Sequence, residues 1–273
     1  MKTLWRYLRI IRFPMTFAPV GAFIAGMIQE SGKFPVLPSE LLAMLAMFFL
    51  SAGTLAYNGF RDRDIDARKG ESFAKQYPKK VQIAAILCYV ACLAVAGIIS
   101  LSTFLVFALY VGATIVYSRY GVRLPGLKNA LASFLSASLV LFGAYVVGGI
   151  NQASLITTLV FFFAITAMEL VKDLEDIEAD RGYRATLVMV LPLGYIKYIA
   201  GVCVAGAIAI GFLFPVRTVL FGILYTAASA AFVVALFRLP LHITTLIDHT
   251  PRRLIYVGLW IGLAAFILPQ FLR

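Results

Sequence analysis

The chain has 273 residues, of which 62% are hydrophobic and 14% are charged, and its mean hydropathy is +0.91. Soluble proteins carry about 25% charged residues, so this composition excludes an ordinary soluble globular protein. The net charge of +11 does not indicate nucleic-acid binding, because the basic residues lie in short connections between apolar stretches. We therefore predict an all-α, polytopic membrane protein.

Nine apolar stretches are long enough to be transmembrane helices. In chain order they are Arg12–Ile28, Leu41–Phe60, Val81–Ser100, Thr103–Ser118, Asn129–Gly149, Ser154–Val171, Tyr198–Phe214, Val216–Phe237 and Leu254–Phe271. Pro14 and Pro19 are predicted to bend or break the first helix unless neighbouring groups satisfy the carbonyls they free. No linker divides the chain, so we predict a single membrane domain over residues 1–273.

The basic residues predict the orientation of these helices. Of the 24 lysines and arginines, 21 precede the first stretch or lie in every second connection after it. Lysine and arginine accumulate on the cytoplasmic side of membrane proteins. We therefore expect the N-terminus and those connections in the cytoplasm, and the C-terminus outside.

Ten of the thirteen acidic residues fall in two windows, Asn58–Glu71 and Glu169–Asp180, on that same predicted side. If the helices continue, Asn58, Asp62 and Asp66 recur at intervals of four and share one face. A second stripe consists of Glu169, Asp173, Asp176 and Asp180. The neighbouring Asp64, Glu175 and Glu178 are predicted to point elsewhere, solvated or paired with Arg61, Arg63 or Arg181.

Two rows of oxygen ligands indicate a magnesium site. Mg²⁺ prefers carboxylates and commonly bridges them to substrate phosphates. Zinc or copper would require histidine or cysteine at ligand spacing, which the sequence lacks.

Basic residues accompany the acidic stripes. Arg63, Arg68 and Lys172 lie beside them, and Arg119 and Lys128 lie in the next connection on the same side. A metal with such cations around it suits the stabilisation of a departing diphosphate. The alternative for each single cation is a purely topological role.

The two acidic windows resemble the aspartate-rich motifs of the UbiA superfamily of intramembrane prenyltransferases. The matching residues are Asn58, Asp62 and Asp66, then Asp173, Asp176 and Asp180, with Tyr117-Ser118-Arg119 and Leu127-Lys128-Asn129 between them. Arg12-Phe13-Pro14 also resembles the element that opens the first helix in this family. The resemblance implies nine helices around a central cavity.

The resemblance also implies a reaction. Asn58, Asp62, Asp66, Asp173, Asp176 and Asp180 would hold two Mg²⁺ that grip an allylic diphosphate. Ionisation would give an allylic carbocation, which an acceptor captures. Tyr117 is then a candidate for steadying the cation, and Lys172 and Arg63 for binding the diphosphate, together with Arg12, Arg68 and Arg119. Lys128 and Asn129 would either contact the substrate or end a structural loop.

The acceptor is predicted from the second motif, which is most similar to the archaeal-lipid branch of the family. Those enzymes attach a geranylgeranyl group to geranylgeranylglyceryl phosphate. Prenylation of an aromatic acceptor, as in quinone biosynthesis, is the alternative within the family. The alternative from another class is a cation-binding membrane transporter. In such a protein we would expect acidic residues at mid-span, whereas these acidic residues cluster at helix ends.

Overall fold

The structure, a computed structural model, describes residues 13–68, 70, 73–120, 124–183, 185–215, 218–239 and 250–272. Within these ranges every regular element is helical. The helices of the first half are α1 Phe13–Ser31, α2 Pro38–Arg61, α3 Arg63–Arg68, α4 Phe73–Gln76, α5 Pro78–Ile99 and α6 Leu101–Tyr120. The remainder are α7 Leu127–Ala137, α8 Leu139–Val147, α9 Gln152–Glu175, α10 Ile177–Asp180, α11 Leu187–Val190, α12 Leu193–Gly211, α13 Val219–Arg238 and α14 Thr250–Ile267, with a 3₁₀ helix at Leu268–Leu272.

Eight helical stretches of the described residues are long and apolar enough to cross a membrane, which confirms a multi-pass membrane protein. One of the eight is the pair α7 and α8, which a break at Ser138 separates. Helix α1, with 19 residues, corresponds to the first predicted span and is not among the eight. The nine predicted spans thus correspond to these eight stretches and α1.

The sequence predicts that proline bends or breaks the first helix unless neighbouring groups satisfy the carbonyls that it frees. In the structure proline does not interrupt this helix. Helix α1 runs from Phe13 to Ser31 with Pro19 inside it. In the turn before this proline, the Ser51 hydroxyl donates a hydrogen bond of 3.1 Å to the carbonyl of Thr16. This bond joins α2 to α1 one residue after Met15, whose carbonyl is the one that Pro19 leaves without a helical donor.

Local sequence signals explain where several helices begin. Pro38 and Pro78 occupy the first positions of α2 and α5, where the missing N–H costs no hydrogen bond. Asn151 caps α9, because its Oδ1 accepts a hydrogen bond of 2.9 Å from the backbone N–H of Ser154. Thr218 caps α13 in the same way, through the N–H of Phe221 at 3.1 Å.

The described residues fall into two compact units. The first contains the chain up to Ile24 and Pro35–Gly121, and the second contains Ala25–Phe34 and Val122–Arg273. Each unit carries one of the two acidic windows.

Small residues let the helices of the first unit approach closely. Ala43, Ala46, Ala52 and Ala56 are fully buried along α2. At Gly53 the ring of Tyr89 on α5 lies only 3.0 Å from where a β-carbon would stand. Small residues that allow such close packing are enriched where helices meet in a bilayer, because the hydrophobic effect does not drive their association there.

The second unit is held by an aromatic cluster around Phe266. The ring of Phe214 meets that of Phe266 edge-on at 4.8 Å, and the rings of Phe161, Phe221 and Tyr225 lie within 6 Å of it. These distances are those of favourable aromatic pairs. The cluster ties α9, α13 and α14 together and so fixes the helix that carries the second motif.

Candidate active site

The first acidic stripe keeps helical spacing across a break in the backbone. Helix α2 ends at Arg61, Asp62 adopts φ −94° and ψ 7°, and α3 begins at Arg63. The N–H of Asp62 donates to the carbonyl of Asn58, and that of Asp66 to the carbonyl of Asp62, both at 2.8 Å. Asn58, Asp62 and Asp66 therefore follow one another at intervals of one turn, as predicted.

The second stripe repeats this arrangement. Helix α9 ends at Glu175, Asp176 adopts φ −92° and ψ 2°, and α10 begins at Ile177. The N–H of Asp176 donates to Lys172 at 3.0 Å, and that of Asp180 to Asp176 at 2.9 Å. In both motifs the middle aspartate occupies the sparsely populated bridge region, where active-site residues often lie.

Asn58 begins the first motif and contacts the end of α6. The Ser118 hydroxyl, itself buried, donates a hydrogen bond to Oδ1 of Asn58. Asn58, Asp62 and Asp66 are each partly buried. Tyr117, the candidate for steadying a cation, immediately precedes Ser118 and is also partly buried.

Asp173 begins the aspartates of the second motif and is buried, with 1% of its surface exposed. The ammonium group of Lys128 forms an ion pair with its Oδ1, and Nδ2 of Asn129 donates to its Oδ2 at 3.0 Å. Lys128 and Asn129 are themselves 2% exposed. Both carboxylate oxygens therefore have donors from the first turn of α7.

Asp176 and Asp180 continue the second stripe beyond the end of α9. Asp176 is partly buried, whereas Asp180 is almost fully buried at the end of α10. Asp176 also lies within electrostatic reach of Arg252, at the start of α14.

Arg252 is a residue of this region that the sequence reasoning treated only as a topological charge. Its guanidinium lies 3.6 Å from Oε2 of Glu175, a side chain that is 6% exposed, and 5.7 Å from the ring centre of Tyr256. Glu175 was expected to be solvated or paired with a nearby arginine in sequence; this expectation was wrong, because its partner lies 77 positions further on. The Pro251-Arg252-Arg253 sequence at the start of the last span was the available signal.

The acids predicted to lie off the stripes behave as expected in two of three cases. Asp64 is 48% exposed and pairs with Lys75 at 3.4 Å and with Arg63 at 4.0 Å. Glu178 pairs with Arg181 at 3.7 Å, and both side chains are exposed. Exposed pairs of this kind contribute little to stability.

The predicted phosphate-binding cations have different surroundings. Lys172 donates to both carboxylate oxygens of Glu169 at 3.1 Å, and Nη1 of Arg63 donates to the carbonyl of Phe60 at 3.0 Å. Arg68 and Arg119 are exposed, and Arg119 lies over the ring of Tyr120. Arg12 lies outside the described residues.

The donor set fits magnesium rather than a softer metal. The side chains at the two breaks offer carboxylate and amide oxygens only. Among the described residues no three histidine, cysteine or acidic side chains form a preformed metal cage. Mg²⁺ is usually held by one or two carboxylates, several waters and the phosphates of a substrate, so a complete protein cage is not expected.

One family profile matches the sequence over most of its length. The profile is that of the UbiA prenyltransferase family, and it covers residues 19–262. The chain belongs to this family. The resemblance inferred from the two aspartate motifs is thereby confirmed, and the chain is a membrane prenyltransferase.

Its relatives include digeranylgeranylglyceryl phosphate synthases. The digeranylgeranylglyceryl phosphate synthase of Methanococcus vannielii is 31% identical over 227 residues, which are 80% of each chain. The enzyme of the same name from Natronomonas pharaonis is 31% identical over 166 residues, or 59% of this chain. That match spans 58% of the N. pharaonis protein, less than two thirds of its length.

Solved structures confirm the fold. A structure from work on digeranylgeranylglyceryl phosphate synthase in membranes superposes with a TM-score of 0.75 at 21% identity, over 100% of both chains. A UbiA homologue from Archaeoglobus fulgidus, solved with GPP and Mg²⁺, gives a TM-score of 0.71 at 17% identity, over 97% and 99% of the two chains.

Proposed function

We propose that this prenyltransferase moves a geranylgeranyl group from its allylic diphosphate to the free hydroxyl of geranylgeranylglyceryl phosphate. The observation that carries the proposal is the repeated backbone break, at Asp62 and at Asp176, which ends an apolar helix in a row of acidic side chains. Both M. vannielii and N. pharaonis relatives bear the name of a synthase with this product, which supports the choice of acceptor.

The reaction balances with the groups available. The carbon–oxygen bond of the donor breaks and gives diphosphate and an allylic cation. A lone pair of the acceptor oxygen forms the new ether bond, and the hydroxyl proton leaves to the diphosphate or to water. The apolar helices protect the cation, because water would otherwise capture it before the acceptor does.

We propose that Asn58, Asp62 and Asp66 of the first motif, and Asp176 and Asp180 of the second motif, are ligands for Mg²⁺. When bound, Mg²⁺ neutralises charge on the diphosphate oxygens and so makes diphosphate a better leaving group. The partly buried positions of Asp62, Asp66 and Asp176 suit this role, since they combine access to solvent with a surrounding of reduced dielectric constant.

The cations near the breaks supply positive charge for the phosphates of both substrates. Arg63, Arg68, Arg119 and Lys172 are the candidates from the sequence, with Arg12 at the start of the chain, and Arg252 joins them from α14. Tyr117 is proposed to steady the allylic cation through its ring. An acceptor with its own phosphate explains why so many cations accompany so few acids.

We further propose that residues 1–273 work as one prenyltransferase domain with both motifs at the cytoplasmic face and the C-terminus outside. The distribution of lysine and arginine supports this orientation, with 21 of 24 at the N-terminus or in the connections on the motif side. Cysteine labelling from outside intact cells tests it, with single cysteines placed at Arg273 and, as the control, at Arg68.

The acceptor is tested with purified protein in detergent, radiolabelled geranylgeranyl diphosphate, Mg²⁺ and a panel of acceptors. We expect radiolabelled product with geranylgeranylglyceryl phosphate and none with hydroxybenzoate or homogentisate. Product with an aromatic acid alone would replace the lipid acceptor by the aromatic one. Binding of Mg²⁺ without consumption of the prenyl donor by any acceptor would contradict the transferase assignment altogether.

A further inference from the structure

Asp173 is buried, and both of its carboxylate oxygens have donors at the start of α7. We propose that Asp173 is a positioning residue, which fixes Lys128 and Asn129 at the start of α7, and that it does not bind the metal. The proposal revises the ligand role that the motif pattern implies for Asp173, and it rests on the proposed function for the reaction that the metal serves.

Two side chains of α7 already occupy the carboxylate of Asp173. One oxygen of Asp173 pairs with the ammonium group of Lys128, and the other accepts a hydrogen bond of 3.0 Å from Asn129. All three side chains are at most 3% exposed. A magnesium ion on the same carboxylate would stand beside the buried ammonium group, and two cations repel strongly in a medium of low dielectric constant.

Asp173 and Asp176 differ in their place on the helix. Asp173 lies within α9, before the break, whereas Asp176 lies at the break itself and is partly buried. The side chain of Asp173 faces α7, whose Lys128 and Asn129 donate to it. The middle aspartate instead stands where the helix opens and a ligand can reach it.

A comparable contact occurs in the first unit. Asn58 also lies before a break, and the Ser118 hydroxyl at the end of α6 donates to it. Ser118, which is bonded to the first motif, therefore lies before the connection from α6 to α7. Lys128 and Asn129, which are bonded to the second motif, lie after it. Asn58 is neutral and its amide oxygen has a second lone pair, so a ligand role is compatible with its bond; the charged Lys128 makes the case of Asp173 different.

The contact with Asp173 holds Lys128 at the start of α7. Gly126, with φ 77°, turns the chain into α7, and Lys128 follows two residues later. Anchoring Lys128 and Asn129 on Asp173 sets where α7 begins relative to α9, and hence relative to Asp176. A misplacement of reacting groups by about 1 Å costs about 100-fold in rate, so a purely positional residue is essential to activity.

The test is a double-mutant cycle on the buried pair. The variants are D173N, K128M and the double variant K128M/D173N, which removes both charges at nearly constant shape. The matched control is the exposed pair Lys75–Asp64, 3.4 Å apart, as D64N, K75M and the double. The metal-ligand reference is D176N. Each variant is measured in detergent for diphosphate release, for the Mg²⁺ concentration that gives half-maximal rate, and for apparent melting temperature.

We expect each single variant of the buried pair to lose activity and melting temperature, because it leaves an uncompensated buried charge. The double variant should regain at least about 10-fold in rate over D173N, the size of a coupling between contacting residues. Its Mg²⁺ requirement should equal that of the wild type. D176N should stay inactive, and binding of Mn²⁺ in the presence of diphosphate, followed by electron paramagnetic resonance, should be weakened only in D176N.

Two results would overturn the proposal. One is loss of Mn²⁺ binding in D173N and in the double variant to the extent seen in D176N. The other is a double variant no more stable and no more active than D173N. If the wild type itself neither bound Mn²⁺ with diphosphate nor released diphosphate, the proposed function would fail instead, and the melting temperatures would still decide whether Lys128 and Asp173 are coupled.

Discussion

Lys128 and Asp173 form an ion pair between the first turn of α7 and the last full turn of α9, with 3% and 1% of their side chains exposed. Lys75 and Asp64 form a pair of the same chemistry with 58% and 48% exposed. Removing one partner of a buried pair strands a charge away from water, whereas an exposed partner is simply hydrated. Loss of one partner is therefore expected to destabilise the protein at the buried pair and to have little effect at the exposed pair.

The middle aspartates are expected to be the most sensitive positions for catalysis. Asp62→Asn and Asp176→Asn each remove a charged ligand at a backbone break while keeping the shape of the side chain. We expect diphosphate release from geranylgeranyl diphosphate to fall by at least about 100-fold, the loss typical of a group that stabilises charge in the transition state. Elution as a single species on size exclusion in detergent checks that the fold is kept.

Asp64→Asn is the control for these two variants. Asp64 has the same residue type two positions after Asp62, but its side chain is 48% exposed and pairs with Lys75. Its activity should stay within about twofold of the wild type, since exposed ion pairs contribute at most about 1 kcal/mol. A strong loss of activity in this variant would mean that the acidic face has been assigned wrongly.

Removal of magnesium should stop the reaction without unfolding the protein. Mg²⁺ sites built from few carboxylates depend on the substrate's phosphates, so little of the fold depends on the metal. Treatment with EDTA is expected to abolish diphosphate release, and an excess of Mg²⁺ to restore it. A rate that survives EDTA would exclude the proposed role of the aspartates, and an irreversible loss would point to a structural metal.

Arg252→Gln is expected to destabilise the second unit. The change leaves the carboxylate of Glu175, which is 6% exposed, without the guanidinium 3.6 Å away. The cost should be about 2 kcal/mol, below that of a fully buried pair because Arg252 is itself 29% exposed. A lower apparent melting temperature in detergent measures the effect, and diphosphate release should fall because Asp176 follows Glu175 directly.

Arg253→Gln is the matched control for this variant. Arg253 is the next residue in α14 and is exposed. Water can therefore replace the interactions that are lost when Arg253 is substituted. Equal effects of the two substitutions would show that total positive charge matters at this helix end, and that the pair with Glu175 does not.

Gly26→Ala should be poorly tolerated because α1 and α8 touch through their backbones. A β-carbon on Gly26 would stand 1.8 Å from the carbonyl oxygen of Val140 and 2.9 Å from the nitrogen of Ala144. The helices must separate, at a cost of about 1–3 kcal/mol or more. Gly112→Ala is the control, since nothing lies within 4 Å of a β-carbon there. The apparent melting temperature should fall for Gly26→Ala and stay the same or rise slightly for Gly112→Ala.

The length of the helices and the face of each acidic row could be predicted because both depend on neighbours along the chain. Apolar runs of about 20 residues must be helical in a bilayer, and a spacing of four places residues on one face. Asn58, Asp62 and Asp66 accordingly keep one-turn spacing through the break. The break itself at Asp62 and Asp176 was not visible, since nothing in the sequence separates a continuing helix from one that pauses for a single residue.

The partners of the polar residues could not be predicted, because they come from distant parts of the chain. Ser118 meets Asn58, Lys128 meets Asp173 and Arg252 meets Glu175 only when particular helices pack side by side. The sequence by itself determined the class of protein, its helices and the acidic rows, since local hydrogen bonding and hydropathy decide these. Only the tertiary structure decided which distant side chains pair with Asp173 and Glu175, because buried charges are neutralised by whatever group the packing brings within reach.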